Sequence, residues 1–234
     1  MTNASNCLNL VGDGDEGDLR FAIEQAFAVR ISDEEAIRCE TVGDLFDIVS
    51  AKLMASRPRS RGCPTAIAFF RLRGALRRLG YLERLTPKSD LRAVSCAQGT
   101  RHFQHSLSRE SGLKLPELEF QSSSIAAMAI IMAFGAAFAI WIGSGLPLLG
   151  CTVLAVVLGF VLPKSIPAEI ANLGDYAANC AAWNYGRLSE QTGVRPGDAW
   201  KALAVVVRDS TGSGLEVEMN RDTRFFAKRK SQAR

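Results

Sequence analysis

The acidic segment that begins at Gly12 has the glycine spacing of a dinucleotide-binding turn, with further glycines at Gly14 and Gly17. Such a turn holds a pyrophosphate at the N-terminus of a helix, where negative side chains are unfavourable. Four acidic residues stand in this segment and would repel the phosphates: Asp13, Asp15, Glu16 and Asp18. No pattern of a parallel sheet follows. We therefore interpret the segment as an acidic, flexible turn that binds no nucleotide.

The same segment partly matches a calcium-binding EF-hand loop. Asp13, Asp15 and Glu24 occupy the first, third and last ligand positions of that loop. The loop also requires a glycine at its sixth position, where the chain turns sharply, and this sequence has Asp18 there. We therefore expect no calcium site.

Cys96, His102 and His105 are the other candidates for metal binding. The two histidines have the spacing that puts both imidazoles on one face of a helix, but a fourth ligand is not evident. They are also the only histidines in the chain, and neither adjoins a motif of a nucleophilic triad. The sequence therefore predicts no metal, no cofactor and no catalytic residue, and we expect a non-enzymatic protein.

A basic amphipathic helix follows a predicted linker at residues 57–64. One side of it is apolar, and the other carries four arginines: Arg71, Arg73, Arg77 and Arg78. Anionic lipid attracts each nearby cation by about 1 kcal/mol. We predict that this basic face contacts anionic lipid or a protein partner. A solvated face, or a dock for the acidic N-terminal segment, is the alternative.

Residues 120–163 contain no charged side chain, and a Gly-Ser-Gly-Leu-Pro stretch interrupts them near the middle. The two apolar parts, Ser124–Ile142 and residues 146–162, are close to the roughly 17–25 residues that cross a hydrocarbon core as a helix. Two helices joined by a tight turn satisfy every backbone group within lipid. We therefore predict a two-span transmembrane hairpin. A buried hairpin in a soluble protein is the alternative, although neither run leaves a polar face for water.

The residues that flank the hairpin indicate its orientation. Arg101, Arg109 and Lys114 precede it and Lys164 follows it, whereas the connecting turn carries no charge. The positive-inside rule then places both termini in the cytoplasm. No secretory signal is visible at the start of the chain, and the six cysteines are scattered as expected for free thiols in a reducing compartment. We predict a multi-pass protein of the bacterial inner membrane.

The net charge of +4 is unevenly distributed along the chain. Residues 13–47 contain eleven acidic side chains against three arginines, and residues 48–118 contain fourteen basic side chains against four acidic ones. This asymmetry indicates mutual attraction between the two segments or an anionic partner such as lipid head groups. We expect no nucleic-acid partner.

Local signals predict short helices on both sides of the hairpin. Asp18 is the predicted N-cap of an amphipathic helix, and Ser32 and Glu35 have the spacing of a capping box. Thr41 repeats this signal before a third helix. Further helices are expected at residues 102–111, after Pro167 and Asn172, and after Pro196. Their helix-opening residues and apolar periodicity support these predictions.

The acidic segment resembles the second to fourth helices of acyl carrier proteins. The similarity lies in Phe21-Ala-Ile-Glu-Gln-Ala-Phe27, Ile31-Ser-Asp-Glu-Glu-Ala36 and Thr41-Val-Gly-Asp-Leu-Phe-Asp-Ile-Val49. Members of that family are small four-helix bundles that carry substrates on a phosphopantetheine arm, attached to a serine. The resemblance puts that serine near Asp13, and no Asp-Ser-Leu motif occurs in the chain. It therefore implies a degenerate carrier-like fold without the phosphopantetheine serine.

Two later segments resemble the first helix of that family, one at residues 68–91 and one at residues 200–226. In addition, Asn172-Leu-Gly-Asp-Tyr-Ala177 echoes Thr41-Val-Gly-Asp-Leu-Phe46. The chain can therefore contain two degenerate carrier-like units, or one unit whose first helix comes from beyond the hairpin. As a whole it also resembles bacterial membrane-hairpin proteins of unknown function.

These observations predict an all-α protein whose short helical cytoplasmic segments flank the hairpin. The expected segments are 1–56 (acidic, carrier-like), 57–64 (linker), 65–119 (basic, helical), 120–163 (hairpin), 164–227 (helical) and 228–234 (basic tail). The function they suggest is a membrane-anchored recruitment protein that binds lipid and a protein partner. The alternative is a small membrane subunit of a larger transporter or lipid-modifying enzyme complex, which works through its hairpin.

Overall fold

Helices dominate the structure, which is a computed structural model. It describes residues 6–8, 10, 12–56, 62–81, 84–91, 100–120, 122–143, 146–161, 164–167, 169–212 and 219–226. In chain order its elements are α1 (Gly12–Phe27), α2 (Asp33–Ile37), α3 (Val42–Ser56), α4 (Pro64–Arg78), α5 (Thr100–Ser111), β1 (Glu119–Phe120), α6 (Ser122–Ile142), α7 (Leu146–Val161), β2 (Lys164–Ser165), α8 (Leu173–Trp183), α9 (Tyr185–Thr192) and α10 (Pro196–Thr211). Within these ranges, the prediction of an all-α protein is confirmed, because the sheet contains only four residues.

Most predicted helix starts are confirmed by hydrogen bonds. Ser32 and Glu35 form a reciprocal capping box at α2. The Thr41 hydroxyl accepts the N–H of Asp44 at 3.1 Å before α3. Asn172 caps α8, and Pro196 is the first residue of α10.

Two predicted helix starts are wrong. The helix assigned to an Asp18 N-cap begins at Gly12, so Asp18 lies within α1. Pro167 lies outside α8, because Asn172 is the N-cap and its side chain accepts the N–H of Asp175. The predicted linker core at 57–61 and the basic tail lie outside the described residues.

The first hydrophobic core joins the two ends of the chain. α1 and α3 pack against α10, and the buried Phe225 completes this core. The fully buried side chains include Ile23, Phe27, Leu53 and Leu203, which come from these three helices. The acidic N-terminal helices therefore obtain a packing partner from beyond the hairpin, which they need because three short helices bury little surface alone.

The second core lies between the hairpin's two flanks. α4 packs against both α5 and α8, with Leu72, Leu76, Phe103, Leu107 and Tyr176 as large, fully buried side chains of this core. α8 and the start of α9 belong to both cores, since Trp183 and Tyr185 lie in the first and Cys180 lies in the second. Each core thus combines residues from before and after the hairpin.

A specific backbone junction ties α3 to the C-terminal segment in the first core. The N–H groups of Val42 and Gly43 donate to the carbonyls of Thr223 and Arg221, each at 2.9 Å. The Thr223 hydroxyl accepts the N–H of Asn220 at 2.9 Å, which closes the turn that presents these carbonyls.

The same junction occurs in the second core at the start of α8. Leu173 and Gly174 donate to the carbonyls of Ser89 and Pro87, at 2.9 and 2.7 Å. The Ser89 hydroxyl accepts the N–H of Thr86 at 3.0 Å. The sequence echo between residues 41–46 and 172–177 therefore corresponds to a repeated structural junction.

The repeat extends along the helices. α3, and α8 together with its C-cap Asn184, bury residues at the same spacing: Val42, Leu45, Phe46, Val49 and Leu53 in the first, and Leu173, Tyr176, Ala177, Cys180 and Asn184 in the second. α1 and α5 are each followed by a residue whose φ angle is positive, Ala28 after α1 and Gly112 after α5. In the part of the chain that builds the second core, the hairpin lies between α5 and α8. At the corresponding place in the first core, the short helix α2 lies between α1 and α3.

The apolar hairpin consists of α6 packed against α7. β1 and β2 pair in antiparallel orientation at its base, and the ammonium of Lys164 lies 4.6 Å from the ring centroid of Phe120 there. Within the described residues, one helix is long and apolar enough to cross a membrane, Ser124–Ile142, with a mean hydropathy of 2.4 and 6% of its residues buried. α7 has 16 residues and spans about 24 Å, which is less than a hydrocarbon core of about 30 Å.

Candidate functional site

A cleft of about 760 Å³ lies beside the base of the hairpin. Its walls come from α1, the segment that leads into β1, the segment that follows β2, α8 and α10. The volume lies within the roughly 300–1,000 Å³ of typical small-molecule sites. Because all five walls converge here, the cleft is a site that exists only in the folded chain.

Lys114 and Trp183 meet inside the cleft. The Lys114 ammonium lies 4.0 Å from the centroid of the Trp183 ring and donates to Oε1 of Gln25 at 2.5 Å. Burial lowers the pKa of Lys114, and the negative charge of Glu117 partly opposes this shift. The arrangement is a cation–π contact in a partly desolvated position, where such contacts are strongest.

Trp183 also contacts Asp209 across the cleft wall. The indole Nε1–H donates to Oδ2 of Asp209 at 2.9 Å. Asp209 lies on the exposed rim of the cleft, where partial desolvation raises its pKa and the negative charges of Glu169 and Glu119 add to this, against the opposing effects of the indole donor and a nearby arginine. Desolvation is the main cause of this shift, and the two further carboxylates add a smaller contribution from their negative charge.

Asn184 holds the segment that carries Lys114. Its Oδ1 accepts the Lys114 N–H at 3.0 Å, and its Nδ2 donates to the Lys114 carbonyl at 2.8 Å and to the Cys180 carbonyl at 2.7 Å. The side chain of Gln104 donates to the carbonyl of Pro116 from the other side. The Lys114 backbone is therefore fixed to α8, which places its ammonium over Trp183.

Negative charge predominates on the cleft walls. Six carboxylates line it, against two cations, Lys114 and Arg208. The carboxylates are Asp18, Glu117, Glu119, Glu169, Asp175 and Asp209. In the part of the chain that the structure describes, none of the six forms an ion pair. The Oγ of Ser210 is buried at the edge of the cleft and has no hydrogen-bond partner among the described residues.

The cleft can bind and orient a polar ligand, and its composition favours a cation. Concave walls of one charge sign focus the potential onto the enclosed volume. Among the described residues, no group of three histidine, cysteine or acidic side chains lies close enough to hold a metal ion.

Sequence reasoning missed this site. The available signal is Asn184, a polar residue at the spacing of the apolar face of α8. A buried amide at such a position must be hydrogen-bonded. Asn184 therefore indicates a polar network next to Trp183. Nothing local in the sequence indicates that Asp209 and Lys114 lie on either side of that indole.

The glycine-rich acidic segment is helical. Gly12, Gly14 and Gly17 all lie within α1, as do Asp15 and Glu24. A continuous helix provides neither the phosphate-binding turn nor the calcium loop. The prediction of an acidic, flexible turn in this segment is wrong, because the segment is helical. Asp13 lies in the first turn of α1.

The four basic-face residues lie on two sides of α4. At 3.6 residues per turn, Arg71 and Arg78 share one flank and Arg73 and Arg77 share another. Arg71 donates to Oε1 of Gln191 at 3.2 Å, and Arg73 lies 5.0 Å from the ring centroid of Phe70.

The Arg78 guanidinium forms an ion pair with the carboxylate of Glu110 at 2.8 Å. Arg77 is exposed, and no contact of its side chain is found with the described residues. Contact of this surface with lipid or a partner therefore remains a prediction.

His102 and His105 are partners in no metal cluster within the described ranges. Both are exposed on α5. Cys96 lies outside the described residues.

Comparison of the chain with models of protein families, with curated proteins and with solved structures finds no match. The proposals below therefore depend on the geometry of the hairpin, the two cores and the cleft.

Proposed function

We propose that this protein is a non-enzymatic recruitment protein anchored in the bacterial inner membrane. The hairpin of α6 and α7 is the anchor, with both termini in the cytoplasm. The helices on either side of it form one cytoplasmic body that binds a protein partner. The observation that carries this proposal is the exposed apolar surface of the hairpin.

Large apolar side chains are exposed mainly on the hairpin. Of the sixteen exposed ones among the described residues, eleven belong to α6 and α7: Ile125, Ile130, Phe134, Phe138, Ile140, Trp141, Ile142, Leu149, Val153, Leu154 and Val157. A contiguous apolar surface of this kind is characteristic of a membrane or partner contact. Neither helix has a charged residue, so a lipid environment leaves no side-chain charge to be desolvated.

The geometry of the base supports a hairpin that enters and leaves on one side. β1 and β2 pair directly, so the chain returns to the body at the point where it left. α6, with 21 residues, is about 32 Å long and α7 about 24 Å. Local thinning of the bilayer accommodates the shorter helix at a modest cost.

The cytoplasmic body is the part that we assign to partner binding. The packing of α10 on α1 and α3 supports a composite carrier-like unit whose first helix comes from beyond the hairpin. The second core supports a second, interrupted unit with the same junction. The resemblance implies that acidic helices such as α2 serve as a contact surface, and the missing serine implies that they carry no acyl group.

Matched charge substitutions on the hairpin and on the body test the anchor. Ile130 and Ile37 have 68% and 81% of their surface exposed. In water, arginine at either site has little effect. In lipid, arginine near the helix centre costs about 2.5–3.5 kcal/mol for insertion.

We expect the wild-type protein and Ile37→Arg to remain in the membrane pellet after an alkaline wash. Ile130→Arg should be lost from the membrane or degraded. Recovery of the wild-type protein in the soluble fraction, or equal membrane yields of the two variants, would contradict the anchor. A fluorescent reporter fused to the C-terminus, which folds only in the cytoplasm, tests the orientation.

A second candidate function is a membrane subunit that works through its hairpin. A row of exposed aromatic side chains on α6 favours it: Phe138 stacks on Phe134 and on Trp141, with centroids 6.1 and 5.7 Å apart. Photo-crosslinkers at Phe138 and at Glu34 distinguish the two functions. Capture of a membrane protein through Phe138 alone would favour the subunit and contradict recruitment by the body.

A further inference from the structure

We propose that the cleft at the base of the hairpin binds a small organic ammonium ion. The ligand carries one or more amines and enters between α1, α8 and α10. This inference concerns a different part of the molecule from the membrane anchor and does not depend on the hairpin crossing the bilayer.

The cleft already holds one ammonium group in the way that a ligand would be held. The Lys114 ammonium lies over the face of Trp183 and bonds to the amide oxygen of Gln25. An indole face and a neutral oxygen are typical partners of a bound amine. The walls are therefore suited to primary ammonium chemistry.

The cleft has more negative charge than its own cations balance. Against six carboxylates, it provides only the charges of Lys114 and Arg208. The raised pKa of Asp209 reflects this excess in part, since Glu169 and Glu119 both contribute to it. A cation that enters this volume relieves the repulsion among these three groups.

The distribution of the carboxylates favours an extended organic cation over a metal ion. They come from all five walls, and no three of the described acidic groups converge on one point. Apolar residues lie between them, including Phe21, Leu118 and Ile170. A chain of methylenes with separated amines matches this alternation, as does an ammonium head group attached to an acyl lipid.

The ammonium group can come from two sources, a free polyamine or an ethanolamine lipid head group. Glu119 belongs to β1, at the base of the hairpin, so the cleft is within reach of a lipid head group if the hairpin is in the membrane. Binding to the isolated ligands distinguishes the two sources.

Isothermal titration of the full-length protein in non-ionic detergent tests the proposal. Spermidine represents the free amine, glycerophosphoethanolamine the head group, and glycerol 3-phosphate a ligand without an ammonium. We expect saturable binding of at least one ammonium ligand and none of glycerol 3-phosphate. The tighter of the two ammonium ligands identifies the source.

Four variants complete the test. Asp209→Asn and Glu169→Gln should each weaken binding about tenfold, as expected for the loss of one charged partner. Asp222→Asn removes the same charge from an exposed turn and should bind like the wild-type protein. Lys114→Met frees the Trp183 face and removes a repelling cation, so it should bind several times more tightly.

A gain of affinity in Lys114→Met cannot result from misfolding, which keeps the test informative. The proposal is overturned if neither ammonium ligand binds, or if glycerol 3-phosphate binds equally well. It is also overturned if Asp222→Asn weakens binding as much as Asp209→Asn does, because the attraction would then be non-specific.

Discussion

The indole Nε1 of Trp183 lies 2.9 Å from Oδ2 of Asp209, which joins α8 to α10 across the wall of the cleft. Trp183 is almost fully buried, and its ring face carries the Lys114 ammonium. One side chain therefore connects an anion and a cation that are 95 positions apart in the sequence.

Asp209→Asn should stabilise the protein at neutral pH. The raised pKa means that the folded state binds a proton more tightly than the unfolded state. The stability associated with Asp209 is therefore present at low pH and is lost as the pH rises from the ordinary carboxyl pKa through the raised one. The amide oxygen of asparagine still accepts the Trp183 N–H group. Because Asp209 is exposed and water screens its charge, we expect the thermal midpoint to rise by only about 1 °C near pH 8.

The pH dependence provides the control for this prediction. The difference between Asp209→Asn and the wild-type protein should shrink as the pH falls, because the wild-type carboxyl group then becomes protonated as well. Scanning fluorimetry in detergent at several pH values measures this. A constant difference at every pH would show that the effect does not come from titration of Asp209.

Gly186→Ala should strongly destabilise the cytoplasmic body. A Cβ atom at Gly186 would lie 2.3 Å from the backbone carbon and oxygen of Phe27 and 2.6 Å from the nitrogen of Ala28. These are backbone atoms at the end of α1, so α9 and α1 must separate. We expect a loss of about 3 kcal/mol in the free energy of unfolding, at the upper end for overpacking.

Gly197→Ala is the matched control for Gly186→Ala. Gly197 lies in the first turn of α10, and beyond its own helix backbone and chain neighbours no described atom lies within 4 Å of an added Cβ. Alanine favours the helix there by up to about 1 kcal/mol. Urea denaturation followed by circular dichroism compares the two variants. Equal stabilities would mean that α1 and α9 do not approach as closely as described.

Thr223→Val should cost more stability than Arg221→Ala. Thr223 is fully buried, and its hydroxyl accepts the Asn220 N–H and donates to Oδ1 of Asn6 at 2.8 Å. Valine leaves both groups without this partner, at a cost of about 1–3 kcal/mol. Arg221 donates to both oxygens of Asp47 at 2.6 Å, but this pair is largely exposed and contributes less than about 1 kcal/mol.

Salt separates these two effects. High ionic strength screens the exposed ion pair, so the cost of Arg221→Ala should decrease in about 1 M salt. The cost of Thr223→Val should remain unchanged, since no charge is involved. If Arg221→Ala proves the more harmful of the two in high salt, the buried hydroxyl is not what holds the chain ends together.

The protein should not gain a phosphopantetheine arm. Asp13 lies where the resemblance puts the serine, and a carboxylate cannot form that attachment. Intact-mass measurement after co-expression with a phosphopantetheinyl transferase checks this, with an authentic acyl carrier protein as the positive control. A mass gain of one arm would overturn the non-carrier assignment.

Local signals in the sequence determine a large part of the secondary structure. The capping box at Ser32 fixes one helix start through hydrogen bonds to near neighbours, and Pro196 fixes another because its restricted φ angle suits the first helical residue. The residues from Ser124 to Ile142 are apolar on every face, which predicts a long helix that water does not favour. The predicted start of α1 at Asp18 is wrong, because an acidic residue followed by an apolar helix face resembles an N-cap even when it lies inside a longer helix.

Only the tertiary structure decides which of these helices pack together. The hydroxyl of Thr223 and the amide of Asn6 are 217 positions apart, and no periodicity in either segment indicates their contact. Lys114, Trp183 and Asp209 form a site for the same reason, since each comes from a different segment.

Helix formation depends on hydrogen bonds and side chains within a few residues, so the sequence by itself determines the helices and the charge-free hairpin. The two cores and the cleft depend on burial between helix faces that are far apart in the sequence. Many different pairings of these amphipathic helices would bury their apolar faces equally well, so the pattern of apolar residues does not select one pairing. The repeated junction at Gly43 and Gly174 selects one pairing, through backbone hydrogen bonds that form only when the segments meet.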